Sequence, residues 1–162
     1  METLEEIFLN RTKYHIALVN KYAKLIGKSY PNHDSDKLDN LLYGYKYYSK
    51  PHKERTTEEQ KSLDDATLIH ILTQEHHPEH WTNDSLDGFT RKDYTPNGPI
   101  DSTNMPLEAI TEMICDWFAV SEEKGTNTAR QWFTMVNRTR WKFSLDQEKF
   151  ILNLISKIEQ LS

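Results

Sequence analysis

The adjacent pair His33-Asp34, in the run PNHDSDK over residues 31–37, is the strongest chemical feature of this sequence. A neutral imidazole and a carboxylate both suit divalent transition metals, so the pair can chelate one cation where a helix begins. Four further histidines fall among core positions. At about 100° per residue, His15 shares a face with Leu4, Phe8, Leu18 and Tyr22, and Arg11 lies one turn earlier on that face. A buried Arg beside a buried His is costly unless something pairs with both, and a core carboxylate is the ordinary solution. Further along, Ala66, His70, Thr73 and His77 form a small or polar sector on a helix that is otherwise apolar, which implies a polar cavity. His76 and His77 would point about 100° apart on a regular helix. Pro78 breaks the helix there, so both can face one cavity, the alternative being a solvated helix end. Asp116 sits at the edge of the stripe Leu107, Ile110, Ile114, Trp117 and Phe118, where it can reach inward or stay in water. Cys115 has no triad partner and reads as core filler.

The elements that must position these groups read as helices. Thr3 caps the first, with Glu6 completing the box, and Leu4, Ile7, Phe8, Tyr14, Leu18, Tyr22, Leu25 and Ile26 are expected to carry one buried stripe to about Gly27. A second helix is predicted over Ser35–Tyr48, stopped by Pro51. A third runs from Thr56 or Thr57 to about Glu75, a fourth from Pro106 to about Glu123 before Gly125, and a short one over Thr128–Asn137. The last opens at Ser144 with Gln147 as its box partner. Strand alternation is absent, so the fold class is all-α: one helical bundle over 1–162, of about six helices. Residues 78–104, rich in Gly, Pro, Asn, Asp, Ser and Thr, form one long loop of the length that usually carries function.

Composition narrows the classes. The chain has 162 residues and a net charge of −5, with 4 Trp, 8 Tyr and 6 Phe, which suits one packed domain and not a disordered chain. One cysteine excludes an internal disulfide and a cysteine-rich zinc module. The acidic balance argues against duplex nucleic acid as a partner, and no apolar run approaches the roughly 20 residues of a membrane span. The N-terminus lacks the pattern of a secretory signal, so a cytoplasmic location is expected.

The order His15, His33-Asp34 and a distant Asp116 on successive helices, with His70, His76 and His77 between, resembles the HD-domain superfamily of helical metal-dependent phosphohydrolases. More narrowly, HDSDK (33–37), LIHILTQEHHPEHW (68–81) and EMICDWFA (112–119) look like an uncharacterised HD-like family frequent in bacterial and phage genomes. The likeness runs from about His15 to Trp132. It implies that His15, His33, Asp34 and Asp116 hold one metal and that His70, His76 or His77 serve a second. The ion would be Mn, Fe, Co, Zn or Mg, one or two per chain. Lys37 falls where several HD branches place a catalytic or phosphate-contacting residue.

The chemistry implied is cleavage of a phosphate ester of a small metabolite, with a nucleotide as the leading substrate class. Such a reaction needs cations to offset phosphate charge, and Arg11, Lys37, Arg91 and Lys92 are the candidates. Glu112, one turn before Asp116, can orient a ligand histidine or act as a base. Trp81, Phe89 and Tyr94 can stack a base or anchor the loop. Two alternatives use the same residues: an HD-type di-iron oxygenase, and a non-catalytic fold that binds a nucleotide or a protein.

Overall fold

Among the described residues, four of the five α-helices begin with a side chain that satisfies the helix's own first N–H groups. Thr3 Oγ1 accepts from the Glu6 amide while the Glu6 carboxylate accepts from the Thr3 amide. Thr56 with Glu59, Thr128 with Gln131 and Ser144 with Gln147 repeat the arrangement. These boxes open α1 (Leu4–Leu25), α2 (Thr57–Thr73), α4 (Ala129–Val136) and α5 (Leu145–Leu161). The remaining helix, α3 (Leu107–Lys124), follows Pro106, which caps it from one position earlier than its expected first helical place. It stops at Gly125, whose φ of 62° lets its amide return to the Ser121 carbonyl. This computed structural model describes residues 1–93 and 98–162, so Tyr94 lies outside the described residues. It is 65% helical, which makes the class all-α.

The expected second helix is corrected. Residues of 35–48 form 3-10 stretches, Ser35–Leu38 and Asn40–Ser49, with Asp39 extended between them and Leu42 off helical geometry. The chain enters this segment through Asp34 in the left-handed conformation (φ 54°), an uncommon state for a residue with a Cβ. Gly44 then passes so close to α2 that a Cβ there would lie 2.4 Å from the Ser62 carbonyl oxygen. A regular helix over the whole span would keep neither feature.

The long loop is partly built. Its start forms a 3-10 turn, Pro78–Trp81, and its end supplies β1 (Ile100–Asp101). That strand pairs in parallel with β2 (Trp141–Lys142), Ile100 against Trp141. Strands of two residues show no alternation to read in a sequence. Gln147 of α5 fixes the same end, donating to the carbonyls of Ser102, Thr103 and Met105.

Two apolar clusters result. The larger joins α1, α3, α4 and α5 through Val19, Ile110, Ile114, Phe133, Ile151, Ile155 and Ile158, all buried. The smaller joins Phe8, Leu42, Tyr45, Leu63 and Ala66. On α1, Phe8 belongs to the smaller cluster and Leu18, Val19 and Tyr22 to the larger, with His15 between them. Among the described residues no helix is long and apolar enough to cross a membrane.

Candidate metal centre

All seven expected ligands meet. His15 comes from α1, His33 and Asp34 from the turn before the 3-10 segment, His70 from α2, His76 and His77 from the turn after it, and Asp116 from α3. His15 Nε2 lies 2.8 Å from Asp116 Oδ1, 3.3 Å from His33 Nε2 and 3.5 Å from Asp34 Oδ2. His33 Nε2 lies 3.5 Å from Asp34 Oδ1 and 3.6 Å from Asp116 Oδ1. Across Asp34, Oδ1 lies 3.2 Å from His70 Nε2 and 3.1 Å from His76 Nε2, and His77 Nε2 lies 3.1 Å from His70 Nε2. Two ligands each about 2.1 Å from one ion stand roughly 3.0–3.4 Å apart, so these separations are those of donors sharing a cation. Asp34 belongs to both groups, one oxygen toward His15 and the other toward His70 and His76.

The other edge of each ring explains why the Nε2 atoms converge. His33 Nδ1 and His76 Nδ1 both face Glu112 Oε2, at 2.8 and 2.9 Å. His70 Nδ1 faces Asp36 Oδ2 at 2.8 Å, and His15 Nδ1 faces Glu123 Oε2 at 3.2 Å. A carboxylate at Nδ1 holds the proton there and leaves the Nε2 lone pair toward the centre, the arrangement typical of metal-bound histidine. Lone pairs of His15 and His33 then oppose each other at 3.3 Å, which is repulsive unless positive charge lies between them. Asp34 Oδ1 and His76 Nε2, which face the centre, are buried without a hydrogen bond of acceptable alignment. Buried polar atoms of this kind need a partner, and a cation fits the donor set. These buried groups could hold a metal ion.

Without an ion, protons carry the missing positive charge. Burial opposes charging of His15, yet hydrogen bonds to Asp116 and Glu123 push it up to about 9. Burial is likewise outweighed at His33, raised to about 9 by Asp34, Asp116 and Glu112. Asp34 and Asp116 stay well below the usual carboxylate range despite burial, Asp34 through His33, Lys37 and His70, Asp116 through His15 and His33. Glu112, also opposed by burial, is drawn down to about 2 by His33 and His76. His77 is pushed the other way by burial and by the charges of His76 and His70, so it stays neutral.

A cavity of about 150 Å³ opens onto His15, Asp34, His70, His77 and Asp116. Its walls carry four cations. Lys37 is within, its Nζ 2.9 Å from Asp34 Oδ2 and 4.8 Å from the Tyr45 ring, so it pairs with that carboxylate and still lines the cavity. Arg11, Arg91 and Lys124 each lie 5.1 Å from the Tyr48 ring centre, and Lys124 donates to the Tyr48 hydroxyl. Burial would raise that hydroxyl, but the Lys124 hydrogen bond and the charges of Lys124, Arg91 and Arg11 hold it below its ordinary value. Among the described residues, none of these three cations has a carboxylate within ion-pair distance. The expectation of a buried Arg11 beside His15 is corrected: Arg11 is half-exposed at the cavity mouth, because Tyr48 gives its guanidinium a ring face there. Arg91 is placed by its Nη1 donating to Thr67 and its amide to Asp64.

Lys92 is exposed and lines no described cavity, and Trp81 anchors the loop by donating to the Glu75 carbonyl. Cys115 is buried in the larger apolar cluster, where burial pushes its thiol up to about 12, as befits filler. Sequence reasoning missed Asp36, Glu123, Tyr48 and Lys124. The signal for Glu123 was present: Glu112, Asp116 and Glu123 recur at spacings of four and seven, one face of a helix. Asp36, Tyr48 and Lys124 carry no such signal, since only the tertiary turn brings them in.

The site thus defines a helical bundle with a histidine–carboxylate centre shared by four segments of chain and able to take metal. The chain belongs to DUF5662, a family of unknown function, whose model matches residues 4–157. No curated protein and no solved structure matches it.

Proposed function

We propose that this protein is a metal-dependent phosphohydrolase of the HD type, cleaving a phosphate ester of a small metabolite, with a nucleotide as the leading substrate class. The observation that carries the reading is the cavity: its floor is the histidine–carboxylate centre, and its wall is the group Arg11, Lys37, Arg91 and Lys124. Three of these cations, Arg11, Arg91 and Lys124, have no carboxylate within ion-pair distance among the described residues, and their gathering above a site suited to a divalent ion matches a ligand with clustered negative charge. His15 and His33 with Asp34 would hold one ion, Asp116 reaching the same side through an oxygen 2.8 Å from His15 Nε2, and Asp34 with His70, His76 and His77 would hold a second. The chemistry such an ion supplies when bound is acidification of water and polarisation of a phosphoryl oxygen.

This chain's own residues do the rest. Glu112, Glu123 and Asp36 fix the ring orientations, so Glu112 acts as a positioning residue and not as a base. Arg11, Arg91 and Lys124 neutralise the phosphate, and Lys37 holds the Asp34 carboxylate while offering its charge to the same cavity. A ligand of this size fits a chain with net charge −5 better than duplex nucleic acid does, and a cytoplasmic setting suits a phosphorylated metabolite.

The test is phosphate release from a panel of nucleotides and sugar phosphates by protein loaded with manganese, cobalt, zinc or magnesium. Release from at least one member is expected. No release across the panel, with metal demonstrably bound, refutes the reading. A di-iron oxygenase is the second reading, favoured by the three histidines grouped with Asp34. It requires iron after aerobic purification and a coupled-pair magnetic signature, in place of phosphate release.

A further inference from the structure

A second cavity, of about 350 Å³, adjoins the one above the metal centre. The two share His77, Arg91, Asp116, Val120 and Lys124, so a single ligand can occupy both. The walls of the second differ in kind. Three of the chain's four tryptophans line it: Trp117, Trp132 and Trp141. Trp117 and Trp141 lie nearly parallel, with 9° between their planes and centres 6.2 Å apart. The Arg140 guanidinium lies 4.5 Å from the Trp141 ring centre and 5.6 Å from that of Trp132, a planar cation set against indole faces. Ser121, Thr126 and Asn127 add polar groups that can meet the edge of a ligand.

We infer that this tryptophan-lined cavity is the subsite for a planar heteroaromatic ring, so that the preferred ligand is a nucleoside phosphate with its phosphate among Arg11, Arg91 and Lys124. The inference rests on the phosphohydrolase reading for the placement of the phosphate, and it names the part of the ligand which that reading leaves open. Indole faces and a guanidinium plane favour a flat π-system whatever its hydrogen-bonding pattern. Trp117 and Trp141 are buried, Trp117 against Phe133 and Trp141 beneath Arg140, so the half-buried Trp132 and the Arg140 guanidinium supply the surface that a ring would meet. The sequence points to other rings, Trp81, Phe89 and Tyr94 of the long loop. Among the described residues, Trp81 and Phe89 line neither cavity, whereas Trp132 and Trp141 come from the chain after α3.

Nucleosides without phosphate test the subsite apart from turnover. The quenching of tryptophan fluorescence in the intact protein is followed while adenosine, guanosine, uridine or ribose is added. At least one nucleoside is expected to quench saturably, and ribose is not. Trp132→Ala is expected to weaken that binding roughly tenfold. Ser121→Phe, which fills the cavity from α3 and spares the three indoles, is expected to do the same. Binding of no nucleoside, or equal binding by both variants and the parent, overturns the inference. Equal phosphate release from adenosine 5′-monophosphate and ribose 5-phosphate also overturns it while leaving the hydrolase reading intact. Saturable nucleoside binding with no phosphate release from any ester supports the ring subsite and refutes the hydrolase.

Discussion

On one side of α3, Ile110 and Ile114 are buried in the cluster that holds Ile151, Ile155 and Ile158 of α5. On the opposite side, Glu112, Asp116 and Glu123 face the imidazoles of His15, His33 and His76, from three other segments. The apolar interior is complete as folded, because its stabilisation comes from surface already removed from water. The polar interior is balanced only when positive charge is added, as protons on His15 and His33 or as a metal ion. One helix thus separates a region that holds the fold from a region that waits for a ligand, and the two should fail differently.

The largest separation should come from Ile155→Ala. Emptying a fully buried site costs about 2–5 kcal/mol, so the melting temperature should drop by several degrees while the metal stoichiometry is unchanged. Chelation should do the reverse. Stripping metal held at about 100 times its dissociation constant removes roughly 2.7 kcal/mol of linked stability, visible as a lower melting temperature that recovers on reloading. If Ile155→Ala lost its metal, or chelation left melting untouched, the two regions would not be independent in this way.

The apolar region and the outline of the polar one were legible in the sequence for one reason. The stripe on α1 that buries Phe8, Leu18 and Tyr22 also carries His15, and an imidazole there demands an explanation. His33-Asp34 is legible as a bare pair, and the polar sector of α2 marks His70. What stayed hidden depends on tertiary turns. Asp34 adopts a left-handed conformation and the chain then winds as 3-10 helix past Gly44, so no helical period relates Asp36 or Tyr48 to the site. Glu123 looks like a solvent-facing acid until α1 is packed against α3 and His15 meets it. The tryptophans are spread over two helices and a two-residue strand, too far apart in sequence to read as one pocket.

Smaller effects sharpen the comparison within the polar region. Glu112→Gln should weaken metal binding about 10- to 100-fold with little loss of stability, since the glutamine keeps the shape but no longer anchors both His33 and His76 as an anion. Equilibrium dialysis at fixed pH reads this directly, and an unchanged affinity would remove Glu112 from its positioning role. The pH dependence of the metal-free protein has a defined sign. His15 and His33 are raised from 6.5 to about 9, so their contribution is full below about 6.5 and is lost as pH rises through 9. Metal competes for the same nitrogens, so its affinity should rise over that window and binding should release protons. Calorimetry in buffers of different ionisation enthalpy counts them, and binding without proton release at neutral pH would contradict the charged His15 and His33 of the metal-free centre.

Elemental analysis of natively purified protein, beside Asp34→Ala and Asp116→Ala, tests the shared-cation centre most directly. One or two divalent ions per chain are expected in the parent. Asp34→Ala should lose both sites because its two oxygens serve both groups, whereas Asp116→Ala should lose the site formed with His15 and His33. A parent chain that neither carries nor takes up metal, or an Asp34→Ala chain that keeps the full complement, would contradict it.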